Sequence, residues 1–173
     1  MAIKIEEVKS GKRILQIKTE IFRNFINAFI EEKAFLLCDK KFTLCQEREW
    51  QKKEAKDLRE GTRIVLLAWD GKKLAGICEA WRGQYKERHN TTLGIAISNG
   101  YRGKGLGKKL LLLAIMRAKA KLKPHKILLD CFAGNKTAQK LYHSVGFVEV
   151  ARLRGHLFHC GKYMDKLYME LRE

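Results

Sequence analysis

The stretch NGYRGKGLGKKLLLLAIMRAKAKLK, residues 99–123, sets Gly103, Gly105 and Gly107 on alternate positions among basic residues and then runs into leucine. Glycine in a helix interior costs about 1 kcal/mol relative to alanine, so these three are not helix filler. They mark backbone that must approach something closely, at the point where a helix begins. Leu106, Leu110, Leu113 and Ala114 make one face of that helix, and Leu111, Leu112 and Ile115 widen it, the pattern of a helix lying on a sheet. TTLGIAIS, immediately upstream at 91–98, reads as a strand.

A strand, a turn and glycine backbone opening a helix form the general geometry for gripping phosphate. The first-turn amides point outward without partners, and the helix dipole adds positive potential. Arg102, Lys104, Lys108 and Lys109 add more. Two known phosphate loops do not fit. A Walker loop needs Gly, four residues, then Gly-Lys-Ser/Thr, whereas Gly100 and Gly105, at that spacing, run into Leu106. The dinucleotide fingerprint needs GxGxxG and a later acidic residue, whereas this spacing is GxGxG followed by basic residues.

Outward from this centre the chain alternates helices and strands. IKIEEV at 3–8 is a short strand, and Ile17, Ile21, Phe25, Ala28 and Phe29 share a helical face. FTLCQEREWQKKEAKDLREG, 42–61, is a second helix with Thr43 and Gln46 at capping-box spacing and Gly61 as its stop. TRIVLLAW, the turn Asp70-Gly71 and KKLAGICEAW form a hairpin. Beyond Pro124, KILLDCF is a buried strand and NKTAQKLYHSV a short helix capped by Asn135. FVEVARL and YMDKLYMEL are final strands joined by a loop containing Gly155 and Gly161. The order β-α-α-β-β-β-α-β-α-β-β predicts an α/β fold: one mixed, largely antiparallel central sheet flanked by helices, in a single domain over residues 1–173.

Composition narrows the function. The 173 residues are 32% charged and 46% hydrophobic, the balance of a globular chain. No run approaches the roughly 18–20 apolar residues of a membrane span, and the N-terminus lacks the basic-then-apolar order of a signal peptide, so a cytoplasmic protein without membrane attachment is expected. Five scattered cysteines, none in a CxxC pair, favour reduced thiols over disulfides or zinc. His156, His159 and Cys160 match no zinc spacing, so no metal is expected. Net charge is +17, and residues 61–130 carry 15 Lys/Arg against 4 Asp/Glu. Such a field draws anions. A basic nucleic-acid-binding module is the rival from another class, but the run Arg117–Lys126 lacks interleaved aromatics.

Arg102-Gly103-Lys104-Gly105-Leu106-Gly107 resembles the acetyl-CoA loop of the GNAT N-acetyltransferase superfamily, [Gln/Arg]-x-x-Gly-x-[Gly/Ala]. NKTAQKLYHSVGF, with Asn135, Ala138, Tyr142 and Gly146-Phe147 in order, resembles a second family segment, and the element order matches from Ile3 to Leu171. The resemblance implies an acyl-CoA N-acyltransferase fold with acetyl-CoA as co-substrate. It implies that residues 102–107, with Lys108, hold the CoA pyrophosphate and that Asn135, Ala138 and Tyr142 belong to the same site. The strand at Ile95, Ala96 and Ile97 would splay from its neighbour after Cys131, and pantetheine would thread between them.

The implied chemistry is direct attack of a neutral primary amine on the thioester. A lysine amine is only about 0.04% neutral at pH 7 and an α-amine roughly 10–20%, so a general base helps. The resemblance makes Tyr142 the acid for the departing thiolate. Relatives often carry a glutamate just before LGI, where this chain has Thr92; Glu79, in an otherwise apolar strand, is the candidate base in its place.

KAFLLCDKKFTLCQEREW, residues 33–50, resembles the branch related to ribosomal-protein N-terminal acetyltransferases. The expected acceptor is a protein N-terminus or lysine, with a small molecule or polyamine as the alternative. The resemblance places the acceptor between Ala34–Thr43 and Arg154–Lys162. Lys40, Lys41, Arg154 and Lys162, with Phe35, Phe42 and Phe158, would there favour acidic peptides over spermidine, unless the pocket itself is acidic.

Overall fold

Alternating apolar residues in the central strands send side chains to two separate cores, one on each face of the sheet. In the computed structural model, which describes residues 3–172, β1 is Lys4–Glu7, β2 Arg63–Asp70, β3 Lys73–Arg82, β4 Asn90–Ile97, β5 Lys126–Phe132, β6 Phe147–His159 and β7 Lys162–Leu171. They form one sheet in the order β1-β2-β3-β4-β5-β7-β6. Among the described residues only β4 and β5 pair in parallel; the other neighbours are antiparallel. The mixed, largely antiparallel sheet is therefore as the sequence predicts.

Helix α4, Leu106–Lys121, is the crossover between the parallel strands and builds the first core. Leu106, Leu110, Leu111, Ala114 and Ala118 pack there with Ile64, Leu66, Ala68, Cys78 and Leu129. The opposite face is covered by α1 (Gly11–Leu15), α2 (Thr19–Glu31) and α3 (Leu44–Arg59), whose Ile14, Phe22, Phe25, Phe29 and Ala55 meet Val65, Leu67, Leu74 and Ile77. Covered on both faces, β2 is buried without interruption from Ile64 to Ala68. The last helix, α5, spans Lys136–His143. Among the described residues, no helix is long and apolar enough to cross a membrane.

Three features depart from the sequence expectation. Residues 11–15 form α1, which the periodicity did not show because five residues are too few to display a repeat. Ser10 caps it by accepting from the Arg13 N–H at 3.2 Å. Gly11 lets it lie on α3, since a Cβ there would stand 2.3 Å from the Ala55 carbonyl oxygen. Gly155 is not in the terminal loop but inside β6, at a break in register between Leu153 and Leu157, with φ +56°. The β6–β7 turn is only Cys160-Gly161, both with positive φ, the requirement of a tight two-residue hairpin turn.

Gln51 joins the helical layer. Its side-chain amide donates to the carbonyls of Ile14 (3.0 Å) and Ile17 (2.9 Å), and its oxygen accepts from the Thr19 hydroxyl (2.6 Å). Gln51→Ala removes the side-chain donor from the Ile17 carbonyl and the acceptor from the Thr19 hydroxyl, and leaves a buried void; the Ile14 carbonyl keeps the Ile17 N–H. The substitution is expected to lower stability by about 1–3 kcal/mol, read as a lower urea midpoint with unchanged m-value; an unchanged midpoint would refute this role.

Candidate active site

The site begins where strand pairing stops. β4 and β5 are in register at Asn90↔Lys126, Thr91↔Ile127 and Thr92↔Leu128, and no further. Separation thus opens at Leu128, three residues before the expected Cys131. On its other side β4 stays paired with β3 through Ile97↔Gly76. Gly83 donates to the Asn90 carbonyl and Ser98 to the Ala75 carbonyl, which fixes the alternation: even-numbered backbone groups of β4 turn to β3, odd-numbered ones to the gap. The Leu93 carbonyl and the N–H and C=O of Ile95 and Ile97 therefore face the opening, while the Leu93 N–H still serves the Thr92↔Leu128 pairing and the Ala96 backbone is turned to β3. The Ile97 carbonyl accepts from Arg102 Nε at 2.7 Å.

The glycine loop stands at the end of this gap. Gly103 and Gly105 adopt φ of +72° and +79°, a region disfavoured for residues with a Cβ. Gly105 is the N-cap of α4 and supplies no side-chain acceptor, and the first turn holds no acidic residue. The first-turn amides and dipole of a sixteen-residue helix are thus directed at the loop. Leu106 is buried and anchors the turn, while Lys104 and Lys108 are exposed. Lys104 Nζ donates to the Gly100 carbonyl at 2.8 Å. Arg102 is engaged in the fold: it pairs with Glu32, the C-cap of α2, and lies 5.2 Å over the Phe29 ring. Gly107 has a packing role, because a Cβ there would stand 3.0 Å from Leu141 of α5.

The second motif is built around α5. Asn135 caps it, its oxygen accepting from the Ala138 N–H at 3.1 Å, so these two motif positions are each other's partners. One turn further on, Tyr142 is 7% exposed and set edge-on to Phe147 at 6.3 Å. Burial, with Cys131 and Cys78 nearby, raises its phenol above the ordinary range and keeps it protonated.

Across β4 lies a cavity of about 300 Å³ between the sheet and helices α2 and α3. Phe22, Phe25, Phe42, Trp50 and Trp81 give it aromatic walls, and Glu47 and Glu79 supply carboxylates. Asn27 holds Phe42 in place by a two-point clip, donating to its carbonyl at 3.0 Å and accepting from its N–H at 2.8 Å. Glu79 is directly opposite Gly94, and Trp81 opposite Thr92, so the side chains at 79 and 92 belong to one face of the sheet. Glu79 can thereby serve the space that a carboxylate at 92 would serve.

Beneath the cavity one arginine answers several acids. Arg63 Nε is 3.0 Å from Glu54 and 3.3 Å from Asp57, and its Nη1 is 3.6 Å from Glu79. Burial raises the carboxyls of Glu54 and Glu79, with Arg63 opposing in both cases. Burial and the neighbouring Glu79 push Glu47 up to about 6. The sequence reading singled out Glu79 but missed Glu47 and Glu54. Their signal was present: Glu47, Gln51 and Glu54 follow helical spacing on the same side of α3 as Leu44 and Leu58, interrupting its apolar stripe.

The two segments expected to wall the acceptor side meet at Phe35, whose ring is 5.0 Å from His159 and 5.5 Å from Phe132. Phe158 is exposed, with its ring 5.2 Å from that of Tyr163 in the same hairpin. His159 Nε2 is 3.4 Å from Cys160 Sγ. Among the described residues no three His, Cys, Asp or Glu side chains cluster as metal ligands.

Comparison with known proteins agrees with this architecture. A mycothiol acetyltransferase of Corynebacterium glutamicum is 34% identical over 85 residues, covering 48% of this chain and 27% of that protein. A prophage-derived, uncharacterized N-acetyltransferase of Bacillus subtilis is 26% identical over 120 residues, covering 68% and 64%. This chain therefore spans about a quarter of the first relative and just under two thirds of the second. A GNAT-family acetyltransferase structure from Streptococcus pneumoniae superposes with TM-score 0.80 at 27% identity, over 98% of both chains. Ribosomal-protein-alanine N-acetyltransferase from Brucella melitensis (TM-score 0.78, 21% identity, 98% of both chains) shares the fold. So does spermidine N-acetyltransferase from Vibrio cholerae, solved with CoA and spermine (0.73, 22%, 98% of this chain and 94% of that one). The branch expected from residues 33–50 is thus not singled out. Residues 24–147 match the model of the acetyltransferase (GNAT) family, and the chain belongs to that family.

Proposed function

We propose that the protein transfers the acetyl group of acetyl-CoA to a primary amine by direct attack. The observation that carries this reading is the open edge of β4, which runs from the glycine loop to the carboxylate-bearing cavity. Amides of the loop and first turn of α4 bind the pyrophosphate, with Lys104 and Lys108 adding positive potential. Pantetheine runs along the gap, where the Leu93 carbonyl and the Ile95 backbone offer hydrogen bonds in place of the missing strand. Asn135 and Ala138 act by setting the start of α5 and hence Tyr142.

The amine enters from the cavity. Its nitrogen forms the new C–N bond as the C–S bond breaks; Glu79 takes the amine proton, directly or through water, and Tyr142 returns a proton to the leaving thiolate. A gap-facing amide of β4 stabilises the oxyanion. The exposed basic and aromatic groups at Lys40, Arg154, Lys162 and Phe158 support a peptide acceptor, whereas the cavity supports a small amine. The rival nucleic-acid reading requires binding to random-sequence DNA at physiological salt without affinity for CoA.

Gly105→Val forces a β-branched residue into φ +79° and should weaken CoA binding in calorimetry by about tenfold or more while the thermal transition stays cooperative. Unchanged affinity would remove the pyrophosphate from this loop.

Tyr142→Phe should lower kcat by about 10²–10⁴ with little change in CoA affinity; near-normal turnover would return Tyr142 to a packing role.

Glu79 works as a base when ionised, and its burial raises the pH at which that form appears. Activity should therefore fall on acidification through a step above the ordinary carboxylate range. Glu79→Gln should lower kcat by about 10²–10⁴ and abolish that step. A pH–rate profile measured with amines of different basicity separates the step from titration of the amine itself; a step that survives Glu79→Gln would assign the base elsewhere.

A further inference from the structure

The described residues place more carboxylate than cation around the cavity. Arg63 is shared among Glu54, Asp57 and Glu79, at 3.0, 3.3 and 3.6 Å. Glu47 reaches the same cavity from α3, is 6% exposed, and has no ion-pair partner among the described residues. A carboxylate that is nine-tenths buried and faces an aromatic cavity without a cation is costly to hold empty. One positive charge arriving from outside would balance it, and aromatic faces add attraction for such a charge.

Size and wall chemistry limit what carries that charge. A volume of about 300 Å³ is at the lower end of small-molecule sites. Apart from the two carboxylates, Phe22, Phe25, Phe42, Trp50 and Trp81 dominate its walls. These suit an apolar body on a single ammonium. A triamine such as spermidine would bring two further ammonium groups into a small cavity whose described lining holds only Glu47 and Glu79 as anions, one of them needed for the reacting nitrogen. A polypeptide would have to bring polar backbone into the same apolar space.

Granted the acetyl-transfer reading, we propose that the acceptor is a compact primary monoamine with an aryl or alkyl body, its nitrogen held between Glu47 and Glu79 and its body against the Phe22–Trp50 wall. Phe22 and Trp50 are themselves set edge-to-face at 5.0 Å, which gives that wall a fixed shape. The basic hairpin and connection then form the outer mouth, not the recognition surface. The local acidity of the cavity thus overrides the positive field of the whole chain for a monoamine.

The test is a steady-state panel with acetyl-CoA and four acceptors: 2-phenylethylamine, hexylamine, spermidine and a free-N-terminal peptide with acidic residues. The two monoamines should have kcat/KM about tenfold or more above the others. Glu47→Gln should raise the 2-phenylethylamine KM about tenfold or more, the size expected from losing one hydrogen bond to a charged group, with the acetyl-CoA KM unchanged. A second measurement depends on no variant. Without acetyl-CoA, 2-phenylethylamine should shift the emission of Trp50 and Trp81, and the uncharged 2-phenylethanol should bind about tenfold or more weaker. A peptide or spermidine as best acceptor, or a KM insensitive to Glu47→Gln, would overturn the monoamine assignment and leave acetyl transfer standing. Monoamine binding by emission with no transfer to any amine would overturn the catalytic reading and uphold the cavity's ligand class.

Discussion

Everything in the site follows from β4 having a neighbour on one side only beyond Thr92. A strand inside a sheet normally exchanges hydrogen bonds with two neighbours, and unpaired N–H and C=O groups carry a desolvation cost unless water, ligand or side chain satisfies them. Here the β3 ladder keeps β4 straight to Ile97 while β5 turns away to β7, with which it pairs through Phe132↔Lys166. Arg102 satisfies the last exposed carbonyl, and its ion pair with Glu32 ties the glycine loop to the end of α2. The helix that begins in that loop closes the crossover demanded by the parallel pair. Topology, loop and gap are consequences of one interrupted ladder.

The second organising interaction is the competition for Arg63. Its guanidinium is nearly buried, stacks at 5.3 Å on Trp81, and faces Glu54, Asp57 and Glu79. Burial raises the carboxyls of Glu54 and Glu79, and one guanidinium shared among three acids offsets this only in part, so both retain protons to higher pH than isolated carboxylates. Of the three acids around Arg63, Glu79 is the one that also lines the cavity. Arg63 on β2 and Glu54 and Lys53 on α3 pull Glu79 back from behind, against the rise that burial imposes on this candidate base.

The strands, the long helix and the two motifs were legible in the sequence because each rests on local spacing: Gly103 and Gly105 before Leu106, Thr43 and Gln46 in a capping box that forms as expected, Asp70-Gly71 between two apolar runs. Glu79 was legible for the same reason, as an acid in an apolar strand. What escaped depends on contacts distant in the chain. Glu47 and Glu54 share a face of α3 with Leu44 and Leu58, but on so polar a helix that spacing is faint, and the Arg63 that meets Glu54 lies on β2. Gly107 shared the loop's glycine pattern, but its role is set by Leu141, thirty-four positions away, which no spacing rule encodes. The Arg102–Glu32 pair is likewise invisible until α2 and the loop are brought together.

The break in β6 at Gly155 has a consequence for how molecules of this chain meet one another. β6 is the outer strand of the sheet, thirteen residues long, and Val148, Val150, Leu153 and Phe158 are exposed along it. A flat edge of that length and composition is a template for pairing with a second chain, the first step toward aggregation. The positive-φ Gly155 disrupts the register, and its N–H is turned to Asp165 Oδ1 at 3.0 Å. Arg152 bridges Glu149 and Asp165 beside it, and Arg154 and His156 add polar side chains at the same point. The irregularity cuts one long sticky edge into two short ones, and so guards against unwanted strand addition where the fold leaves its sheet open.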